Sequence, residues 1–143
     1  MGNISTYREL EVWKVAIELA VMIHKTTKNF PKDEMYGLTS QIRRAGYSVA
    51  SNIAEGFGRE HTHEYLHFLS IAKGSLYETE TQIVIATKVD YIGRDDAKKL
   101  WDLTQRIGMM LTKLQQSLRS KIRPTKNDGR KKMAASATID DRR

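Results

Sequence analysis

Hydrophobic residues recur every three or four positions along four separate stretches of the chain, which is the spacing of helices that bury one face. Short segments containing glycine, proline or polar residues separate these stretches. The predicted helices cover residues 7–29, 33–55, 62–88 and about 95–121, with Asp33, Thr62 and Asp95 or Asp96 as their candidate N-caps. Because the connections are short, consecutive helices should run antiparallel. The pattern predicts an all-α, up-down antiparallel four-helix bundle over residues 1–121.

The first predicted helix has a wider apolar face than a bundle helix needs. Two apolar stripes run along it, one of Leu10, Trp13, Ile17, Ala20, His24 and Thr27, the other of Val12, Ala16, Leu19, Ile23 and Phe30. Val21 and Met22 interrupt the remaining polar strip. Surplus apolar surface on a small domain indicates a second surface that contacts a partner.

Several glycines fall where the hydrophobic pattern predicts helix. A glycine inside a helix costs about 1 kcal/mol relative to alanine, so Gly46 and Gly74 predict close packing against a neighbouring helix. Gly56 and Gly58 are expected to close the second helix in a C-cap loop.

The net charge of +7 is unevenly distributed. Residues 1–118 hold 15 basic and 14 acidic residues, whereas residues 119–143 hold nine basic and three acidic ones. The helical pattern ends after Lys121, and Pro124 and Gly129 follow. We predict a basic, flexible, disordered tail over residues 122–143, which either attracts phosphate groups or only solubilises the protein.

Other features of the sequence limit the cellular setting. The chain has no cysteine, no apolar run of the roughly 20 residues that span a bilayer, and no secretory pattern near Met1. We expect a cytoplasmic protein with no membrane partner.

One motif resembles a zinc site. His63, Glu64 and His67 form an H-E-x-x-H sequence on a predicted helix, where two histidines four residues apart share a face. A catalytic zinc needs a third protein ligand. Glu78, the nearest acid downstream, lies 11 residues past His67, which is about 16 Å along a straight helix. A zinc hydrolase is therefore a remote alternative, and we expect no metal, no cofactor and no enzymatic activity.

Charged residues on the second and third helices allow two interpretations. Arg43 and Arg44 project about 100° apart, so at most one of them faces inward. An inward arginine can join a structural network that fixes the helix register, and an outward one can bind a ligand. The residues that we assign to the structural network are Asn52, Glu55, Glu78 and Glu80.

The middle of the chain resembles the four-helix-bundle protein family found in intervening sequences of bacterial 23S ribosomal RNA genes. The resemblance is carried by GLTSQIRRA at 37–45, NIAEG at 52–56 and GSLYETETQ at 74–82, and by LEVW at 10–13 in the first helix. It covers roughly residues 7–120. The tail extends beyond the family pattern.

The resemblance implies a bundle that assembles into a five-fold ring. The family is similar to the accessory variability-determinant proteins of diversity-generating retroelements, which are basic, nucleic-acid-binding partners of a reverse transcriptase. We therefore expect a non-enzymatic homopentamer that binds RNA or DNA, with a reverse transcriptase as a candidate partner. The alternative is a protein–protein assembly scaffold without a nucleic-acid role. The candidate nucleic-acid contacts are Arg43, Arg44, Arg59, Arg119, Lys121, Arg123, Lys126, Arg130, Lys131 and Lys132.

Overall fold

The computed structural model describes residues 3–122, which form four long helices. They are α1 (Glu11–Thr27), α2 (Leu38–Phe57), α3 (Thr62–Lys88) and α4 (Arg94–Ser120), with single 3-10 turns at Tyr7–Glu9 and Lys32–Glu34. The helices pack antiparallel in the order of the chain: α1 contacts α2 and α4, and α3 contacts α2 and α4. The predicted all-α four-helix bundle is confirmed.

The core lies along the centre of the bundle and receives one stripe of side chains from each helix. These stripes repeat at three- or four-residue spacing, as the hydrophobic pattern predicts. The largest side chains with no exposed surface are Leu19, Ile23, Ile42, Ile53, Leu69, Leu76, Leu100, Ile107 and Leu111.

Two helices begin later than the sequence predicts. The backbone before α1 makes a 3-10 turn at Tyr7–Glu9, and Leu10 is extended, so the α-helix begins at Glu11. Asp33 is not the N-cap of α2, because it lies in the 3-10 turn Lys32–Glu34. The helix begins at Leu38, whose backbone N–H donates to Glu34 Oε2 at 3.2 Å. The third helix has the predicted range, although His61 rather than Thr62 occupies its N-cap.

The glycines differ in what surrounds them. Gly56 lies within α2 and is buried, so it does not belong to a C-cap loop. A Cβ on Gly56 would be 2.9 Å from Phe68 Cβ, which makes this the closest approach of α2 to α3 among the glycines of these two helices. Gly46 faces the Ile23 side chain of α1. The prediction of tight packing at Gly74 is wrong, because nothing lies within 4 Å of its Cβ position.

The sequence also predicts that no segment spans a membrane and that the C-terminal tail is flexible. None of the helices in the described part is long and apolar enough to cross a membrane. The predicted flexible tail lies, after Ile122, outside the described residues.

Candidate assembly and nucleic-acid surfaces

The surplus apolar surface of α1 forms a groove with α2. Ile17 of α1 lines this groove and is 37% exposed, whereas Val21, which is 46% exposed, lies outside it. The α1–α2 groove has a volume of about 390 Å³ and is floored by the small residues Ala50 and Ala54. Its remaining lining is Tyr7, Trp13, Ile17, Ala20, Tyr47 and Ser51.

A second apolar groove lies between α3 and α4. This α3–α4 groove also has a volume of about 390 Å³, and its walls include Val84 and Trp101, each 39% exposed. The remaining lining is Ile83, Thr87, Lys88, Ala97 and Lys98. Because the helices contact one another in the cyclic order α1, α2, α3, α4, the two grooves lie on opposite sides of the bundle.

Arg43 forms hydrogen bonds that join α2 to α1. Its Nε donates to Thr27 Oγ1 at 2.8 Å and its Nη2 to the His24 carbonyl at 3.4 Å. The Thr27 hydroxyl in turn donates to the Ile23 carbonyl at 2.7 Å. Arg44, the next residue, is exposed. The pair therefore divides as the helix geometry predicts, with one arginine facing a neighbouring helix and the other facing solvent.

Three other candidate arginine and lysine residues lie at one end of the bundle. Arg59, in the turn between α2 and α3, lies over the Phe68 ring at 4.5 Å from the ring centroid. Arg119 and Lys121 are exposed at the end of α4, and this end coincides with the α2–α3 turn because α2 and α4 run in the same direction. Arg44 lies 13 residues before the end of α2, about 20 Å away along the axis.

The remaining candidates lie in the tail. Arg123, Lys126, Arg130, Lys131 and Lys132 are outside the described residues. They follow Ile122 in the chain, so they are attached at the end of the bundle that carries Arg59, Arg119 and Lys121.

The residues assigned to the structural network are not joined by ion pairs. Within residues 3–122 one ion pair occurs, between Lys14 and Glu11 at 3.2 Å. Asn52 Nδ2 donates to the Ser48 carbonyl at 2.9 Å and to Ser48 Oγ at 2.8 Å. Glu80 Oε1 accepts from Gln105 Nε2 of α4 at 3.1 Å. Glu55 and Glu78 are exposed.

Sequence reasoning missed several polar contacts between helices. Ser48 Oγ of α2 lies 3.0 Å from Ser75 Oγ of α3. Lys73 Nζ of α3 donates to Thr112 Oγ1 of α4 at 2.8 Å and to Gln115 Oε1 at 3.3 Å. The sequence did contain a signal for the Ser48 contact. Ser48 precedes the core position Val49 on a helix rich in small residues, and such a helix lets a neighbouring helix approach closely.

The H-E-x-x-H motif lies on the first two turns of α3. His63, Glu64 and His67 are all exposed. No group of three histidine, aspartate or glutamate side chains within the described range is close enough to share a metal ion. The motif therefore gains no third ligand from residues 3–122.

Tyr65 lies within this motif, between Glu64 and His67. Burial raises the pKa of Tyr65 to about 12, because desolvation disfavours the phenolate. Its ring packs edge-to-face against Phe57, with 6.1 Å between ring centroids. This packing places Tyr65 in the same α2–α3 contact as Gly56.

The antiparallel bundle and its two side grooves define a small all-α protein of the four-helix-bundle class. Residues 8–113 match the model of the family described as 23S rRNA-intervening sequence protein. The chain belongs to this family.

A solved structure shows the same fold. It is the 1.70 Å crystal structure of a protein of unknown function from the S23 ribosomal protein family of Bacteroides thetaiotaomicron. The two chains share 24% sequence identity with a TM-score of 0.68, and the match covers 72% of this chain and 96% of the other. No curated protein matches the sequence.

Proposed function

We propose that this protein is a non-enzymatic, ring-forming accessory protein that binds RNA or DNA. The observation that carries the proposal is the pair of apolar grooves on opposite sides of one small bundle. A two-fold dimer pairs one surface with its own copy and would leave the second groove in water. A head-to-tail contact between the α1–α2 groove of one copy and the α3–α4 groove of the next covers both.

Assembly into a ring explains how a bundle with almost no net charge can bind a nucleic acid. Cyclic symmetry places the equivalent end of every bundle on the same face of a closed ring. Each copy then contributes Arg59, Arg119, Lys121 and the tail to that face. Several weak sites on one particle bind a long polyanion with an avidity well above that of a single site.

The cations of the described part have few acidic partners. Among residues 3–122, only Lys14 has a carboxylate oxygen within 4 Å. Unpaired surface cations keep their charge available for phosphate oxygens, and the contacts release condensed counterions. This supports RNA or DNA as the partner, with a reverse transcriptase as a candidate protein partner of the assembled ring.

The assembly is tested by blocking each groove separately. Ile17→Glu places a charge in the α1–α2 groove, and Val84→Glu places one in the α3–α4 groove. Each variant alone should be monomeric by light scattering, whereas their mixture should form a one-to-one dimer, since each retains the groove that the other lacks. Ile4→Glu, at an exposed apolar residue outside both grooves, is the matched control and should assemble normally.

Outcomes of the mixing experiment separate the geometries. If the mixture stays monomeric while Ile4→Glu assembles, the head-to-tail contact is refuted. If neither groove variant changes the mass of the assembly, the grooves are not its interface.

Nucleic-acid binding is tested by the salt dependence of affinity for a single-stranded RNA. We expect log K to fall linearly with log salt, by about 0.7 per phosphate contacted. Lys131→Gln with Lys132→Gln should reduce this slope by about 1 or more. The charge-matched pair Lys99→Gln with Arg106→Gln, on α4 and outside both grooves, should leave it unchanged.

Absence of binding would remove the nucleic-acid role. If the full chain ignores both RNA and DNA at low salt, the protein–protein scaffold becomes the better hypothesis. A protein partner that survives nuclease and high salt in a pull-down would then support the scaffold.

A further inference from the structure

The α1–α2 groove reaches the end of the bundle at which the tail begins. Tyr7 and Trp13, near the start of α1, and Ala54, near the end of α2, line the groove at that end. Helix α4 ends there too, at Ser120, because it runs parallel to α2 and antiparallel to α1. The residues that follow Ile122 therefore start near one mouth of an apolar groove.

The groove has one exposed charge beyond each of its ends on α2. Glu55 directly follows the last lining residue, at the end near the tail, and Arg44 lies three residues before the first one. Both follow lining residues at three- or four-residue spacing and so project from the same face of the helix. Neither has an ion-pair partner within residues 3–122, whereas Lys14 at the start of α1 is paired with Glu11. From the tail end upward, this face is acidic, apolar and then basic.

The tail has the same order of properties with the opposite charges. Lys131 and Lys132 precede seven uncharged residues, 133–139, and Asp140 and Asp141 follow them. This is the tail's one uncharged run of more than two residues, and it contains neither glycine nor proline. Placed with its lysines at the acidic end of the groove, the segment brings its aspartates to the basic end. The reverse direction would oppose like charges at both ends.

The segment can reach the groove of its own chain. Residues 123–132 number ten, which span at most about 33–36 Å. Helices in contact lie about 8–10 Å apart, so the groove on the far side of α1 is about 20 Å from the end of α4. Between Lys132 and Asp140 a chain covers about 12 Å as a helix and about 26 Å when extended. The separation of Arg44 and Glu55 along α2, about 16 Å, lies between these two lengths.

We propose that residues 133–139 of the tail occupy the α1–α2 groove of their own chain, with the flanking lysines toward Glu55 and the flanking aspartates toward Arg44. An occupied groove cannot receive a neighbouring copy, so the tail competes with the head-to-tail contact. The inference goes beyond the proposed function, because docking concerns a single free chain. Only the competition rests on the ring.

Pairs of introduced cysteines test the docking, because the chain has no cysteine of its own. Ser51 lines the groove and is exposed, whereas Ser117 is exposed on α4 close to the start of the tail. In the full chain, below the concentration at which it assembles, Ser51→Cys with Ser136→Cys (the groove disulfide) should form at least about tenfold faster than Ser117→Cys with Ser136→Cys (the control disulfide). A tail that does not dock favours the control disulfide, since the shorter loop costs less entropy. That order, or equal rates, overturns the proposal.

Two further measurements test the apolar contact and the assignment to one chain. Met133→Asp with Ile139→Asp should slow the groove disulfide to the rate of the control disulfide, and an unchanged rate overturns the proposal. A chain with only Ser51→Cys, mixed with a chain with only Ser136→Cys, should give little linked dimer. A dimer that forms as fast as the groove disulfide places the tail on a neighbouring copy and overturns the assignment to its own chain.

Charge reversal tests the direction of the segment. Arg44→Glu should slow the groove disulfide, and adding Asp140→Lys with Asp141→Lys to that variant should restore the rate. Arg106→Glu, at an exposed position on α4 outside the groove, is the matched control and should leave the rate unchanged. A rate that responds equally to Arg44→Glu and Arg106→Glu contradicts the proposed direction.

The outcomes are separable from those of the proposed function. If the tail fills the groove in about nine of ten free chains, Met133→Asp with Ile139→Asp should lower the concentration needed for assembly about tenfold. A fast groove disulfide in a chain that never assembles supports the docked tail and refutes the ring. Assembly of a chain whose groove disulfide forms no faster than the control disulfide does the reverse.

Discussion

A methyl group added at Gly56 tests the closest contact between α2 and α3. In Gly56→Ala the new Cβ would lie 2.9 Å from Phe68 Cβ and 3.2 Å from the Tyr65 carbonyl oxygen. Both atoms are fixed to the α3 backbone, so neither can move away by a change of rotamer. The two helices must separate by a few tenths of an ångström, and this separation disturbs the packing of Phe57 against Tyr65.

Gly74→Ala is the matched control, because nothing lies within 4 Å of its Cβ position. Alanine in a helix interior is favoured over glycine by about 1 kcal/mol, so Gly74→Ala should stabilise the protein by about that amount. Gly56 lies in the last turn of α2, where replacing glycine by alanine stabilises the helix by at most this amount. Overpacking a core contact costs about 1–3 kcal/mol. Gly56→Ala should therefore be less stable than Gly74→Ala by about 1–3 kcal/mol or slightly more.

The assay is urea unfolding followed by circular dichroism at one protomer concentration, since assembly couples stability to concentration. With a slope of about 1–3 kcal/mol per molar urea, the midpoints of the two variants should differ by about 1 M. Gly46→Ala should fall between them, because its Cβ meets only the end of the Ile23 side chain. Equal midpoints for Gly56→Ala and Gly74→Ala would refute the close approach at Gly56.

Three further outcomes are expected. Thr27→Val should lower the free energy of unfolding by about 1–3 kcal/mol, because Arg43 Nε loses its acceptor; an unchanged urea midpoint would contradict this. Ser48→Ala and Ser75→Ala should show a coupling energy of about 0.5–1.5 kcal/mol in a double-mutant cycle, and strict additivity would show that no bond forms. Unfolded Tyr65 loses its proton near pH 10 but the folded residue near pH 12, so the unfolded state binds fewer protons between these values and stability falls as pH rises. The stability of Tyr65→Phe should fall less steeply in this pH range. Parallel curves of stability against pH for the variant and the wild-type chain would contradict the raised pKa of Tyr65.

Elements whose apolar positions allow a single interpretation could be predicted from the sequence alone. Helix α3 has the predicted range, and its buried apolar positions keep one phase from Leu69 to Ala86. The start of α2 could not be predicted so well, because Asp33 is a favoured N-cap residue. Only the folded backbone shows that Asp33 lies in a 3-10 turn and that Glu34 accepts the Leu38 N–H. Gly74 could have been assigned correctly from helix phase, since it follows the core residue Ala72 by two positions and therefore points nearly away from the core.

The candidate site was less predictable, because it depends on which polar groups find partners. A sequence shows that Arg43 and Arg44 point in different directions, but not that Thr27 of α1 accepts from one of them. The Thr39 hydroxyl is buried and makes no hydrogen bond within residues 3–122. This could not be foreseen from the sequence, because threonine in a first helical turn is usually solvated or capping.

The arrangement of the two grooves also limits which assemblies are possible. A heterologous contact repeated by one surface pair closes into a ring only if each copy turns by the right amount relative to the last, and otherwise grows into a helical filament. Two grooves on opposite sides of a bundle place successive copies nearly in a straight line. The rotation from one copy to the next must therefore come from a difference in depth between the two contacts. The α1–α2 groove is floored by Ala50 and Ala54, whereas Trp101 stands in the α3–α4 groove. We propose that contact between the Trp101 side of one copy and the alanine floor of the next joins surfaces of unequal bulk, and that this inequality supplies the rotation that a closed ring requires. A single mass that is independent of protein concentration would indicate closure, and a mass that grows with concentration would indicate a filament.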